Sequence, residues 1–192
     1  MVIDDVVSNV KVYGLNQSII ASKYPFAVDI NKCNAEVTKT VTKLAQSPKG
    51  SGEDTFLHGI IVQFDLTLPI KVWTEAERYH FLEFVSSQST MHKIMDFDVR
   101  EQCCDYVNPG IADILQKLID MYKTNPSKEL RKQILYSVPV GFKLTARMTT
   151  NYQQLKTIYS QRRNHELEEW RVFCQWTETL PYAEFITGKD EL

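Results

Sequence analysis

The chain has 192 residues, 43% of them hydrophobic, and carries a formal net charge of −2. That length and apolar content suffice for one well-buried core, so a single domain spanning residues 1–192 is expected. The near-neutral charge, with no long block of one sign, lacks the electrostatic footprint of a duplex-nucleic-acid binder, whereas a few local arginines are enough to hold the phosphate of a free nucleotide.

No apolar run reaches membrane-spanning length, and no charged-then-apolar leader opens the chain, so no membrane association and a cytoplasmic location are expected. The four cysteines, Cys33, Cys103, Cys104 and Cys174, show no metal-ligand spacing. They read as reduced thiols, and no metal site is expected. The last four residues, Lys189-Asp190-Glu191-Leu192, spell an ER-retrieval signal, which without a secretory leader is expected to go unread.

In chain order, Val10 to Leu15 reads as a short strand and Ser18 to Pro25 as a polar, aromatic turn. Asn31 to Gln46 has helical spacing in Ala35, Val37, Val41 and Leu44, with Asp29 or Asn31 as its start. Ser47 to Asp54, S-P-K-G-S-G-E-D, is a loop by composition. Phe56 to Val72 is a long β-rich run in which Val62, Phe64, Leu66 and Leu68 alternate onto one buried face. Thr74 is placed to cap a helix through about Val85, with His80 and Glu83 as neighbours on one face. A polar break at Ser86 to Thr90 precedes Met91 to Met95. Asn108-Pro109 starts a helix with Asn as cap and Pro in its first turn, its core stripe being Ile111, Leu115, Leu118, Ile119 and Tyr122. Asn125-Pro126 repeats that grammar ahead of Leu130, Ile134 and Leu135.

The stretch from Val138 to Trp170 is the most informative. It reads as a strand ending near Met148, a Thr-Thr-Asn cap, a helix, a polar break and a second helix. Tyr152, Leu155, Ile158 and Tyr159 share one helical face. Thr149 or Thr150 can cap the N-terminus, Asn151 is an equally good cap, and Arg162 and Arg163 fall in the last turn, where cations suit the helix dipole. Trp170, Phe173, Trp176 and Thr177 form an apolar stripe on the second helix. Strands separated by long helical pieces give an α+β domain with a mainly antiparallel sheet packed with helices.

Pro139, Thr149, Asn151, Leu155 and Arg162, with Trp170 one residue late, follow the spacing of a Pro, Thr-x-Asn, Asn-Ala-Arg-x-Leu, Arg, Gln-Trp-Glu pattern. This resembles the C-terminal signature of the flavin-dependent thymidylate synthases, the ThyX family. Gln153 stands where that family has Arg, and Glu169 where it has Gln. A second stretch adds to the resemblance: Pro69-Ile70-Lys71-Val72, Arg78 at the family's distance from the proline, and His58 one residue out of register. The two stretches cover 56–93 and 138–171. Within the first, Arg-Gln becomes Thr74-Glu75, Arg-His-Arg becomes Arg78-Tyr79-His80, the loop serine aligns with Glu83, and, with one residue inserted, the phosphate-binding Ser-x-Arg becomes Ser89-Thr90-Met91.

The resemblance implies a ThyX-like fold and reductive methylation of dUMP or a related pyrimidine nucleotide, with FAD as cofactor and NADPH and methylenetetrahydrofolate as co-substrates. It implies that Arg162 lies against the pyrimidine carbonyl as the catalytic and substrate-binding cation. It further implies that His58, Arg78, His80 and Asn151 contact the cofactor, that Gln88 and Ser89 contact the substrate, and that the protein is a homo-oligomer, a tetramer by family habit. Losing the arginine fork and the loop serine weakens phosphate binding. The alternative is therefore a non-catalytic ThyX-fold protein acting by nucleotide or protein binding, or a small interaction protein.

Overall fold

The computed structural model describes residues 1–188; the Lys189–Leu192 tetrapeptide lies outside them. Its elements are α1 (Ile3–Val6), β1 (Val7–Tyr13), α2 (Leu15–Ala21), α3 (Lys39–Gln46), β2 (Ile61–Pro69), α4 (Ile70–Ala76) and β3 (Glu83–Ser87). They continue with α5 (Thr90–Lys93), α6 (Val99–Gln102), α7 (Pro109–Thr124), α8 (Lys128–Tyr136), β4 (Lys143–Asn151), α9 (Tyr152–Arg162), α10 (Glu168–Thr177) and α11 (Glu184–Thr187). The strands form one antiparallel sheet in the order β1-β2-β4-β3, so the α+β class holds. Among the described residues no helix is long and apolar enough to cross a membrane.

Two compact units are distinguishable. One comprises Met1–Leu66, Tyr79–Val85 and Arg147–Leu192; the other comprises Thr67–Arg78 and Ser86–Ala146. In the first, β1 pairs antiparallel with β2 from Val7↔Leu66 to Tyr13↔Ile61, with an irregularity between Ser8 and Lys11. Asn9 there adopts a φ of 51°, and its side-chain amide donates to Asp65. The α9 helix packs against α10 and α11. Tyr152, Leu155, Ile158 and Tyr159 are buried as the spacing requires. Trp170, Phe173 and Trp176 form an aromatic core with Phe64, whose ring lies 4.6 Å from that of Trp176. The apolar stripe of α10 is therefore core.

The second unit is built on α7 and α8. Asn108 caps α7 by accepting from the Gly110 N–H, and Ser127, not Asn125, caps α8 by accepting from the Leu130 N–H. Ala112, Leu115, Ile119, Ile134 and Phe142 make its core, with Leu118, Tyr122, Leu130 and Leu135 packed against it. Ile111, expected in that stripe, is 47% exposed, and Ala112 takes its place.

Several local expectations are corrected. The helix expected over Asn31–Gln46 starts at Lys39. Asp29 caps only a 3-10 turn at Ile30–Lys32, the Asn34 side chain accepts from the Glu36 N–H, and Thr38 is the cap of α3. Those Asx bonds offer the backbone an alternative to helix. Ser18 to Pro25 contains most of α2 instead of a turn. The β run ends at Pro69, whose missing N–H cannot extend a ladder, and α4 begins at Ile70. Thr74 does not start a helix; its hydroxyl donates back to the Lys71 carbonyl within α4. Residues 83–87 are an exposed strand, so His80 and Glu83 share no helix face, and Glu83 instead accepts from the Phe81 N–H. Phe81, at φ 65°, makes the turn that separates α4 from β3.

Candidate functional site

Two polar clusters sit at the two ends of α9. The first surrounds Arg162, the last residue of the helix. Its Nε donates to the Tyr79 hydroxyl at 2.7 Å, and its Nη1 meets His165 Nε2 at 2.7 Å. The Tyr79 hydroxyl in turn donates to Gln161 Oε1 at 2.9 Å. The guanidinium carbon lies 5.0 Å from the Trp170 ring and 5.6 Å from the Tyr79 ring. A guanidinium over two aromatic faces is attracted by their ring quadrupoles and keeps its planar fork in one orientation. Arg162 is thus a half-buried cation preset by its neighbours.

The second cluster joins the start of α9 to the 47–54 loop and to the 3-10 turn Thr55–Gly59. Asp54 is buried, at 1% exposure. Its Oδ1 accepts from Gln153 Nε2 at 3.0 Å, and its Oδ2 accepts from Lys156 Nζ at 2.8 Å. The same ammonium donates to the Ala45 and Ser47 carbonyls, each at 2.7 Å, so its three hydrogens are all engaged. Gln153 Oε1 contacts Nε2 of the exposed His58. The His58 ring lies 6.2 Å from that of Phe81.

Close backbone approach fixes this turn. A Cβ on Gly14, at φ 72°, would stand 2.3 Å from the Gly59 carbonyl oxygen, and one on Gly59 would stand 2.4 Å from Ser18 Oγ. Only glycine suits both positions. Asn151, at 8% exposure, is the cap of α9: its Oδ1 accepts from the Gln154 N–H at 2.9 Å. That corrects the expectation of Thr149 or Thr150 as cap; the Thr150 hydroxyl is instead buried without a hydrogen-bond partner among the described residues. His80 is exposed on the turn before β3.

Gln153 and Arg162 are nine residues apart on α9, about 13 Å along its axis and roughly half a turn around it. The two clusters therefore leave opposite faces of one helix.

In the other unit, Gln88 is held by a paired contact: its N–H donates to the Thr145 carbonyl, and its Oε1 accepts from the Thr145 N–H, both at 2.9 Å. Ser89 stands at the cap position of α5 without a side-chain cap bond. Met91 is 53% exposed, and Arg131 Nη2 of α8 donates to its carbonyl at 2.6 Å. Arg78 is exposed after the end of α4.

Most of the chain superposes on known structures. A flavin-dependent thymidylate synthase ThyX from Helicobacter pylori, complexed with FAD and dUMP, matches with a TM-score of 0.72 over 95% of this chain and 97% of that one, at 13% identity. The chain has the ThyX fold. A second ThyX structure from Helicobacter pylori, also with FAD and dUMP, gives 0.74 over 95% and 96% at 12% identity. A UMP/dUMP methylase, PolB from Streptomyces cacaoi, bound with 5-Br dUMP, gives 0.61 over 94% and 96% at 14% identity. No protein-family model and no curated protein matches the sequence.

On the ThyX fold, the first unit holds His58, His80, Asn151 and Arg162, and the second holds Arg78, Gln88 and Ser89. Sequence reasoning missed Tyr79, Asp54 and Lys156 as members of the two α9 clusters, and Arg131 as the neighbour of Met91. Tyr79 was visible only as a departure from a motif, and Arg131 is 40 residues from the carbonyl it meets. A cleft of about 760 Å³, lined by residues between Ser22 and Leu44, contains none of the candidate residues. Among the described residues no three His, Cys, Asp or Glu side chains group as metal ligands.

The donor set suits a flavin and a nucleotide. His58 and the Asn151 amide offer polar contacts for a heterocycle, Arg162 is a preset cation, and the Thr150 hydroxyl is an unused buried donor.

Proposed function

We propose that this protein is a ThyX-type flavoprotein that binds a pyrimidine nucleotide at Arg162 and carries out reductive methylation of dUMP or a close relative. The observation that carries the reading is the preset Arg162 guanidinium, fixed by Tyr79, His165 and Trp170 at the end of α9 on a ThyX fold. Carbon 5 must act as the nucleophile toward the methylene carbon, so negative charge develops on the conjugated pyrimidine carbonyl as the ring is activated, and a cation that needs no reorganisation at that moment stabilises it by about 3 kcal/mol. In the first unit His58, His80 and Asn151 would contact FAD, a contact the resemblance also assigns to Arg78 of the second; FAD when bound would supply the hydride, with NADPH and methylenetetrahydrofolate as co-substrates. By the family resemblance Gln88 and Ser89 would contact the nucleotide, and in the same unit Arg131, whose Nη2 donates to the Met91 carbonyl, would be the cation for a phosphate there.

Because the Gln153 and Arg162 clusters leave opposite faces of α9, one copy does not present both to one ligand. A homo-oligomer, a tetramer by the family resemblance, brings the Arg162 of one copy to the His58 of another.

The visible absorption spectrum of the purified protein tests this reading, taken with and without FAD and with dUMP titrated into each. A bound-flavin spectrum that dUMP perturbs, and that Arg162→Ala no longer lets dUMP perturb in an intact fold, is expected. Absence of flavin uptake and of any nucleotide response refutes the enzyme reading. The competing reading, a non-catalytic protein-binding descendant of the fold, is favoured by one observation: Phe81, Phe84 and Val85 are 60%, 47% and 57% exposed on and beside the edge strand β3.

A further inference from the structure

The hydrogen-bond chain Lys156–Asp54–Gln153–His58 has only one consistent direction. Lys156 is a donor at all three of its hydrogens, so Asp54 Oδ2 accepts. A carboxylate that accepts from an ammonium is acceptor-only, so the Gln153 group 3.0 Å from Oδ1 is the amide nitrogen. This fixes the amide flip and turns Gln153 Oε1, an acceptor, toward His58 Nε2. His58 must then donate from Nε2, and the neutral ring carries its one proton there. Nδ1 is left as the ring's acceptor and has no partner among the described residues, on a side chain that is exposed.

We propose that Gln153 and Asp54 are positioning residues that hold His58 in the Nε2–H form, so that Nδ1 accepts a hydrogen bond from an imide N–H of the bound ligand. Uracil and isoalloxazine rings both carry such an imide, so this inference rests on the functional reading above and narrows it. A ligand edge offering only acceptors is disfavoured at His58, because neutral Nδ1 has no hydrogen to give.

The charged groups that surround the chain do not reverse its direction. Lys156 and Asp54 neutralise each other, and Gln153 is neutral. An arginine in place of Gln153 could donate to Asp54 but could not accept from His58, and would force the imidazole to turn Nδ1–H or leave. The glutamine is therefore what gives this chain its histidine polarity.

Long-range proton–nitrogen NMR correlation on histidine-labelled full-length protein decides the matter, with FAD and dUMP as probes. The wild-type His58 signals are expected to show the Nε2–H form at neutral pH, and Gln153→Leu is expected to yield a mixture of both forms while near-ultraviolet dichroism stays unchanged. The variant is expected to bind FAD or dUMP about tenfold more weakly, the scale of one hydrogen bond. It is also expected to lose discrimination against N3-methylated uracil nucleotides. An Nδ1–H wild-type form, or a tautomer indifferent to Gln153→Leu, overturns the proposal, as does unchanged affinity in a variant whose tautomer has mixed. If the wild type binds neither probe, the functional reading fails by itself, and the ligand half of this proposal falls with it; the tautomer measurement still decides the positioning half.

Discussion

Replacing Lys156 by Met keeps an unbranched apolar stem of nearly the same length and removes the ammonium. Asp54 would then remain 1% exposed with a single donor, Gln153, while the Ala45 and Ser47 carbonyls lose theirs. The lysine side chain is itself only 19% exposed, so solvent screens the pair weakly. Breaking a buried pair by deleting one partner costs about 3–5 kcal/mol, because an uncompensated charge stays behind. The surviving Gln153 bond places the expected loss at the lower end, about 3 kcal/mol. For a chain of this size that lowers the melting temperature by roughly 6–12 °C. Urea unfolding and calorimetry of Lys156→Met measure both quantities. The double variant Asp54→Asn/Lys156→Met is expected to recover part of the loss, since an amide carries no charge to strand. A single-variant loss below about 1 kcal/mol, the value of an exposed pair, would refute the reasoning.

Other expectations follow from the same geometry. Gly14→Ala combines a left-handed φ with a 2.3 Å approach to the Gly59 carbonyl, so a loss of about 2 kcal/mol or more in urea unfolding is expected, with a shift of the neighbouring His58 resonances. If Arg131 takes the nucleotide phosphate as proposed, Arg131→Ala is expected to weaken dUMP binding at least about tenfold while leaving deoxyuridine unaffected; calorimetric titration of both ligands checks this. Burial first, and then the Glu178 carboxylate, push the Cys174 thiol up to about 12, against a partial lowering by Arg162 and Arg163. The unfolded thiol releases its proton near 9.0, and the folded one holds it to about 12. Stability from this group is therefore full below pH 9 and declines as pH rises toward 12, and Cys174→Ala is expected to flatten that decline in pH-dependent unfolding. At pH 8 Cys174 should resist a disulfide reagent that modifies the half-buried Cys33.

What could be read from the sequence was local. The alternation of Val62, Phe64, Leu66 and Leu68 is a period-2 pattern, and all four are buried in β2. Asn108 before Pro109 is a cap by side-chain chemistry alone, and α7 starts there. The apolar face of α9 and the closing position of Arg162 follow from 3.6-residue spacing, and the motif spacing around them pointed to the fold that the structure has. Local reasoning failed where competing local bonds were close in energy. Over 29–38, Asx turns replaced the first part of a helix, and after Pro69 the chain entered α4 four residues before the threonine that looked like its cap.

The clusters themselves were decided only by tertiary structure. Gln153 meets His58 across 95 positions of sequence and Asp54 across 99, and Arg162 meets Tyr79 across 83. No periodicity encodes such pairs, because each depends on where loops and helix ends come to rest after the core has packed. A glutamine that is only a departure from a motif on the line of sequence becomes, once folded, the group that orients a histidine. An arginine that is only a helix-end charge becomes a cation held against two aromatic rings. Burial supplies the physical reason: a charge or amide taken out of water must find a partner wherever the fold offers one.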